Sequence, residues 1–307
     1  MKDQMKKRIL FSAQTIFLCL FIFCFIATIL QFTGSLNPLT RLDEEKPVYN
    51  NIEAFDPSLS RLNSVHKLEQ YCDSVYTERA FANESLKFEK NYVDIVSNTI
   101  SNRFYHGYSH FGFSNNYAGL LFSKITINGL SAPVLPDDVL QYPYAACSQQ
   151  AIVMMEVLEH KGFKTRKIGF LGKKYGHFAF EVFYNNAWHF FDPNMEPDKT
   201  LLDKYDRPGI DYIASHRDFF LQAYKQYPQE KIIDIFSTYS YGKVNQFPAR
   251  RAAIFQKATN ILSYTFWFFF LVAFFITRRK YLQLSKKNVL AKSIPIARMQ
   301  FEATAAI

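Results

Sequence analysis

Two stretches of the chain are apolar on every side. No charged residue stands between Ile9 and Thr40, and none between Ala258 and Thr277. Each run supplies about 20 residues of apolar helix, which is what a bilayer core requires. Polar interruptions are too few for the one-sided stripe of a helix that faces both core and water. The pattern predicts transmembrane helices over 9–31 and 258–277. The first run is longer than the roughly 7–15 residues of a signal-peptide core, and no small-x-small cleavage site follows it, so an uncleaved anchor is expected.

Between these runs the periodicity changes. Residues 32–58 carry Pro38, Pro47 and Pro57 without a clear period and read as a linker. A central domain is expected over 59–252. Leu62, Val65, Leu68, Tyr71, Cys72 and Val75, then Phe88, Tyr92, Ile95, Val96 and Ile100, fall at helical spacing and predict two helices. Residues 103–125 mix aromatics, His and Gly without a readable period, and Pro133, Pro136 and Pro143 mark a loop. An amphipathic helix is expected over Ser148–Lys161, ended by Gly162. Strands follow at Thr165–Leu171, Gly176–Tyr184 and Ala187–Asp192, the last two joined by Asn185-Asn186, a pair that tolerates the positive φ of a tight hairpin. A helix is expected around Asp211–Tyr224 and a short strand at Lys231–Phe236. Helix, then antiparallel strands, predicts an α+β fold.

Charge changes the picture in one respect. The 307 residues hold 36 Lys plus Arg against 27 Asp plus Glu, a net +9. That excess sits in the flanks 1–8 (+3) and 278–307 (+6), which leaves 25 basic and 25 acidic residues between them. A basic nucleic-acid-binding domain is thereby excluded. Positive flanks stay in the cytoplasm, so both termini are expected there, with the central domain extracytoplasmic and the lipid bilayer as first partner. Arg250 and Arg251 run against this assignment without reversing it.

Chemistry concentrates after residue 140. Cys147 stands just before a helix, where unpaired amides and the helix dipole favour a thiolate. If Asn185-Asn186 is the turn, Tyr184 pairs with Ala187, and counting outward pairs Ala179 with Asp192. His177 then shares a face with Asp192 as its diagonal neighbour, about 7–8 Å away at the backbone and within side-chain reach. Phe178, Phe180 and Val182 supply a core on the other face. A one-residue bulge would break this geometry.

Cys147-x-x-x-Ala151, Leu158-x-x-x-Gly162-Phe163-x-Thr165-Arg166-x-x-Gly169, His177-Phe178-Ala179-Phe180-Glu181-Val182 and Trp188-His189-Phe190-Phe191-Asp192-Pro193 together resemble the bacterial transglutaminase-like superfamily core. The resemblance covers about 50 residues and implies a papain-like arrangement: a helix with an N-terminal Cys packed on an antiparallel sheet. It implies Cys147 as nucleophile, His177 as base and acid, and Asp192 as orienting carboxylate. It further implies a cysteine hydrolase or acyltransferase that passes through a thioester and needs no cofactor or metal. Its substrate would be a protein, a peptide or an envelope polymer. Hydrolysis is favoured because many bacterial members resemble proteases. Ala145, Ala146 and Ser148 beside the cysteine, Ala179 after Phe178, and Asn194 after Asp-Pro depart from the family pattern. They leave open a non-catalytic envelope module used for binding or assembly.

Other residues keep plainer readings. Gln141, six residues before Cys147, is a candidate oxyanion donor by its spacing, though an ordinary loop glutamine is the simpler reading. Tyr142 and Tyr144 are weaker candidates for the same role. Cys147 could instead be bonded to Cys72, since exported domains often pair cysteines. Cys19 and Cys24 need only pack in the first membrane segment. His106-x-x-x-His110 has helical metal spacing but no nearby carboxylate, so loop histidines are preferred. His189 is expected to be structural, and Phe104–Tyr117 to pack. Glu181 is expected at a strand edge, and Asn83-Glu84-Ser85 is a lone glycosylation sequon.

Overall fold

The computed structural model describes residues 2–36, 47–49, 53–82, 87–125 and 130–304. The Asn83 sequon and residues 37–46 and 50–52 of the expected linker lie outside the described residues. The chain opens with α1 (Lys2–Leu36), a 3-10 turn at Pro57–Arg61, α2 (Val65–Ala82), α3 (Phe88–Arg103) and β1 (Tyr105–His106). It continues through α4 (Tyr117–Ser123), α5 (Pro136–Val139), β2 (Tyr144–Ala145), α6 (Cys147–His160), β3 (Lys164–Leu171), β4 (Gly176–Tyr184) and β5 (Ala187–Phe191). It closes with α7 (Lys199–Lys204), α8 (Ile210–Ser215), α9 (Arg217–Ala223), α10 (Gln229–Ile235), β6 (Tyr239–Tyr241) and α11 (Arg250–Thr304).

Contacts divide the chain into two compact units. One is built from α1, residues 112–121 and the chain from Ala258 onward. Two long helical spans, Gln4–Gly34 and Arg250–Lys287, the second starting in the other unit before Ala258, have mean hydropathies of 2.5 and 1.8 and are long and apolar enough to cross a membrane. They run antiparallel: Lys7 Nζ donates to Ser285 Oγ at 3.0 Å, and Thr28 Oγ1 donates to Ser263 O at 2.9 Å. Trp267 packs edge-on against Phe25. Large apolar side chains such as Ile16, Phe23, Phe269 and Phe275 stay exposed on this unit, as expected of helices whose solvent is lipid. Residues 112–121 fall inside the span expected for the central domain, yet they pack with the helices. Asn116 is the reason: its amide donates to Thr259 Oγ1 at 2.9 Å, and its carbonyl accepts from Ser263 Oγ at 3.0 Å. Buried Asn116 thereby has its polar atoms satisfied by side chains rather than by water.

The second unit is the mixed α+β part. Its sheet runs β5-β4-β3-β6 with every neighbour antiparallel. Asn185 and Asn186 hold φ of 46° and 63°, and Tyr184 pairs with Ala187. Both residues in the left-handed region make the two-residue turn that matches strand twist, so the register is the one the turn predicts. Both faces of the sheet are covered. Phe180, Val182, Tyr184 and Phe191 join α2, α3 and α6 in one core. Ile168, Phe170, Ala179 and Phe190 join the helices α7–α10 in the other. Gly162, at φ 86°, closes α6 and turns the chain into β3.

Two elements differ from expectation. Lys231–Phe236 is not a strand; it lies mostly within α10, because Ile232 and Ile235, three apart, bury together on one helical face. The fourth strand is β6 instead, pairing Ile168–Phe170 with Tyr239–Tyr241. The expected helix over Asp211–Tyr224 is broken at His216 into α8 and α9.

Candidate active site

The approach to Cys147 is fixed from below. Arg103 at the end of α3 is fully buried, and its guanidinium donates to the carbonyls of Leu140 at 2.7 Å and Tyr142 at 2.9 Å. Burial without a carboxylate partner lowers its pKa to about 10. β1 then pairs in parallel with β2, His106 opposite Ala145, and delivers the chain to α6. Gln149 Oε1 accepts from the Ala146 amide at 3.0 Å, while its amide nitrogen donates to Pro133 O and Ser109 Oγ. Gln149 thus ties the helix start to two neighbouring segments. Cys147 is the first residue of α6 and is partly exposed. The amides of this first turn have no carbonyl partner within the helix.

His177 is the second residue of β4, and Asp192 directly follows β5. His177 Nε2–H donates to Asp192 Oδ2 at 2.7 Å, and both side chains are buried. Burial alone would lower the His177 pKa. The Asp192 charge and hydrogen bond outweigh it, with a further hydrogen bond from Cys147, and the value rises to about 10. Imidazole has two ring nitrogens. With Nε2 given to Asp192, Nδ1 is the ring nitrogen outside that bond, and Cys147 is among the groups that raise this imidazole's pKa. Asp192 is held in turn by Tyr224, whose hydroxyl donates to Oδ2 at 3.0 Å, and by the Met195 amide on Oδ1 at 3.1 Å. Tyr224 is fully buried, and burial with the Asp192 charge keeps its phenol protonated far into alkali.

Three further residues close around this set. Asn194 Nδ2 lies 3.1 Å from His106 Nδ1. The His106 pKa is lowered, by burial first and then, against its Asn194 bond, by the charges of Lys231 and His177. The Tyr108 phenol is raised, by burial first and then by Cys147, which places it in the thiol's electrostatic neighbourhood. Tyr224 and His106 carried no local sequence signal for this role. Asn194 at a departure from the family pattern was the one available hint.

Several candidates have other duties. Both amide protons of Gln141 are spent, on Asn63 O at 2.8 Å and Asp137 O at 3.2 Å. No donor remains on Gln141 for an oxyanion. Tyr142 and Tyr144 pack with Tyr105 in a small aromatic cluster. Cys72 is a free, buried thiol on α2, pushed up to about 12 by burial, and is not bonded to Cys147. Glu181 is no strand-edge carboxylate: it is buried, takes Arg166 Nε at 2.7 Å and accepts from the Ile210 amide. His189 is buried, stacks on Tyr184 and faces the carbonyls of Arg207 and Tyr184. His106 and His110 do not share a helix, and no group of three or more metal-ligating side chains gathers among the described residues.

A thiol beside an imidazole that a buried carboxylate orients is an arrangement that activates sulfur toward carbonyl carbon. No family model and no curated protein matches the chain. Among solved structures, one described as a TGase is similar over 52% of this chain and 36% of that chain, at 14% identity and a TM-score of 0.29. The chain spans about a third of that structure's length, and a likeness so loose carries no argument about chemistry.

Proposed function

We propose that the protein is a membrane-anchored thiol enzyme of the transglutaminase-like, papain-related type, with its α+β domain outside the cytoplasm. What supports this reading is the His177–Asp192 hydrogen bond of 2.7 Å together with the influence of Cys147 on the same imidazole, whose pKa it helps to raise. Cys147 attacks the carbonyl carbon of an amide in a peptide or related polymer. His177 takes the thiol proton and passes it to the leaving amine. The resulting thioester is opened by water, as in a protease or amidase, or by an amine, as in acyl transfer, hydrolysis being favoured. The amides of the first turn of α6 are the donors available to the developing oxyanion.

The topology rests on charge and on helix pairing. The Lys7–Ser285 contact brings the two basic flanks to one end of the helix pair, and cytoplasmic retention of such flanks leaves the intervening domain outside. Reporter fusions at residues 150 and 300 test this, and opposite compartments are expected.

The chemistry is tested on intact membranes with a peptide bearing a thiol-reactive electrophile. An adduct mapped to Cys147 and lost in Cys147→Ala is expected. Product analysis in ¹⁸O-water with and without an added amine then separates hydrolysis from transfer. Absence of any Cys147 adduct, with the domain folded, sinks the enzyme reading and leaves a binding module.

A further inference from the structure

Away from Cys147, the α+β unit has a cleft of about 390 Å³ beside the start of α11. Lys167 of β3, Lys243 after β6, and Arg250 and Arg251 of α11 all line it. No Asp or Glu is among its lining residues, and among the described residues none of the four cations forms an ion pair. The Lys167 stem is seated rather than loose: a Cβ on Gly242 would fall 2.3 Å from Lys167 Cγ, and the Gly242 amide donates to Lys167 O at 2.9 Å.

The distribution of charge makes this cleft unusual. Between the two flanks the chain is balanced, 25 basic against 25 acidic residues. Four cations converging from three elements without one carboxylate depart from that balance and repel one another across the cleft. Such a cluster is stabilised by an anion that fills it. Arg250 and Arg251 stand eight and seven residues before the uncharged run that begins at Ala258.

We propose that this cleft binds a phosphate-class oxyanion, carried either on an anionic lipid headgroup or on a soluble phosphate compound. Cations beside a membrane helix on the outer side, which run against the charge rule for topology, then have a task of their own: they hold an anion. The site is independent of the Cys147 chemistry.

The test uses the full-length protein purified in detergent. Native mass spectrometry with phosphatidylglycerol or phosphatidylcholine reads lipid retention, and thermal shift with pyrophosphate reads a soluble anion. The variant Lys167→Gln/Lys243→Gln/Arg250→Gln/Arg251→Gln is compared with wild type and with Lys286→Gln/Lys287→Gln, which removes charge from beyond the apolar run of α11. Phosphatidylglycerol bound about tenfold or more tightly by wild type than by the cleft variant, but equally by the tail variant, supports a lipid occupant. Stabilisation by pyrophosphate alone, lost in the cleft variant, supports the site with a soluble occupant. Equal retention of both lipids by all three proteins without pyrophosphate stabilisation, or loss of binding only in the tail variant, overturns the proposal. A circular dichroism spectrum and Cys147 labelling like those of wild type establish that the cleft variant is folded.

Discussion

The β4–β5 hairpin holds two buried histidines, and they are used in opposite ways. Near the turn, His189 has a backbone carbonyl facing each ring nitrogen, of which a neutral imidazole donates to one, and its face lies on Tyr184 with ring centroids 3.7 Å apart. At the open end, His177 gives one nitrogen to Asp192, and Cys147 adds to the upward shift of its pKa. Both are buried. The difference is that His189 is finished by the fold and His177 is not. Burial alone does not mark chemistry; an imidazole with one side oriented and one side left for a reactive group does. Glu181 makes the same point on the His177 face of β4, since Arg166 and the Ile210 amide occupy its carboxylate.

That contrast is most easily broken at its open end. His177→Ala is expected to lower acyl-enzyme formation by roughly 10²–10⁴-fold, the usual contribution of a positioned base, with folding checked by circular dichroism. Asp192→Asn removes the charge that raises the His177 pKa to about 10. The alkaline limb of the pH–rate profile therefore moves down from about 10 toward the ordinary histidine range. The matching stability term has a definite sign. Because the folded pKa lies above the unfolded value of about 6.5, the term is fully present below that value and is lost as pH rises through about 10. Asp192→Asn flattens this slope in chemical denaturation curves taken between these limits.

The turn end answers differently. His189→Ala is expected to cost about 2–4 kcal/mol of stability through lost packing and unpaired carbonyls, read as a lower denaturation midpoint, with the Cys147 labelling rate of the folded fraction unchanged. Tyr224→Phe removes one donor from Asp192 and lowers the rate by roughly tenfold, the size of one hydrogen bond to a charged group, measured as kcat with KM held. The smallest effect is expected for Gln141→Ala. Its amide serves two backbone carbonyls, so the rate should change by less than about threefold. A loss near the 10²–10³-fold of a missing oxyanion donor would restore the role its spacing suggested.

How much of this was legible in the sequence depends on the range of the signal. Asn185-Asn186 fixes a turn, the turn fixes a register, and a period of two carries that register outward to His177 and Asp192. Every step there is local. Tyr224 lies 32 residues beyond Asp192 on a helix whose pattern shows only burial, and the packing of α9 against the sheet brings it in. His106 reaches the site through a two-residue parallel pairing too short to leave a period. Lys231–Phe236 misled because a short apolar run fits a strand and a helix turn equally well. Residues 112–121 gave no sign of joining the long helices, since the hydrogen bonds of Asn116 and Ala118 and the packing of Tyr117 that hold them there are long-range.

The most direct measurement is the alkylation rate of Cys147 by iodoacetamide at pH 7, followed by mass spectrometry of its peptide in wild type and His177→Ala. Buried Cys72, its thiol pushed up to about 12, is an unreactive reference in the same molecule. The account predicts labelling of Cys147 at least about tenfold faster in wild type than in the variant, with Cys72 silent in both. Equal Cys147 rates in the two folded proteins would contradict it.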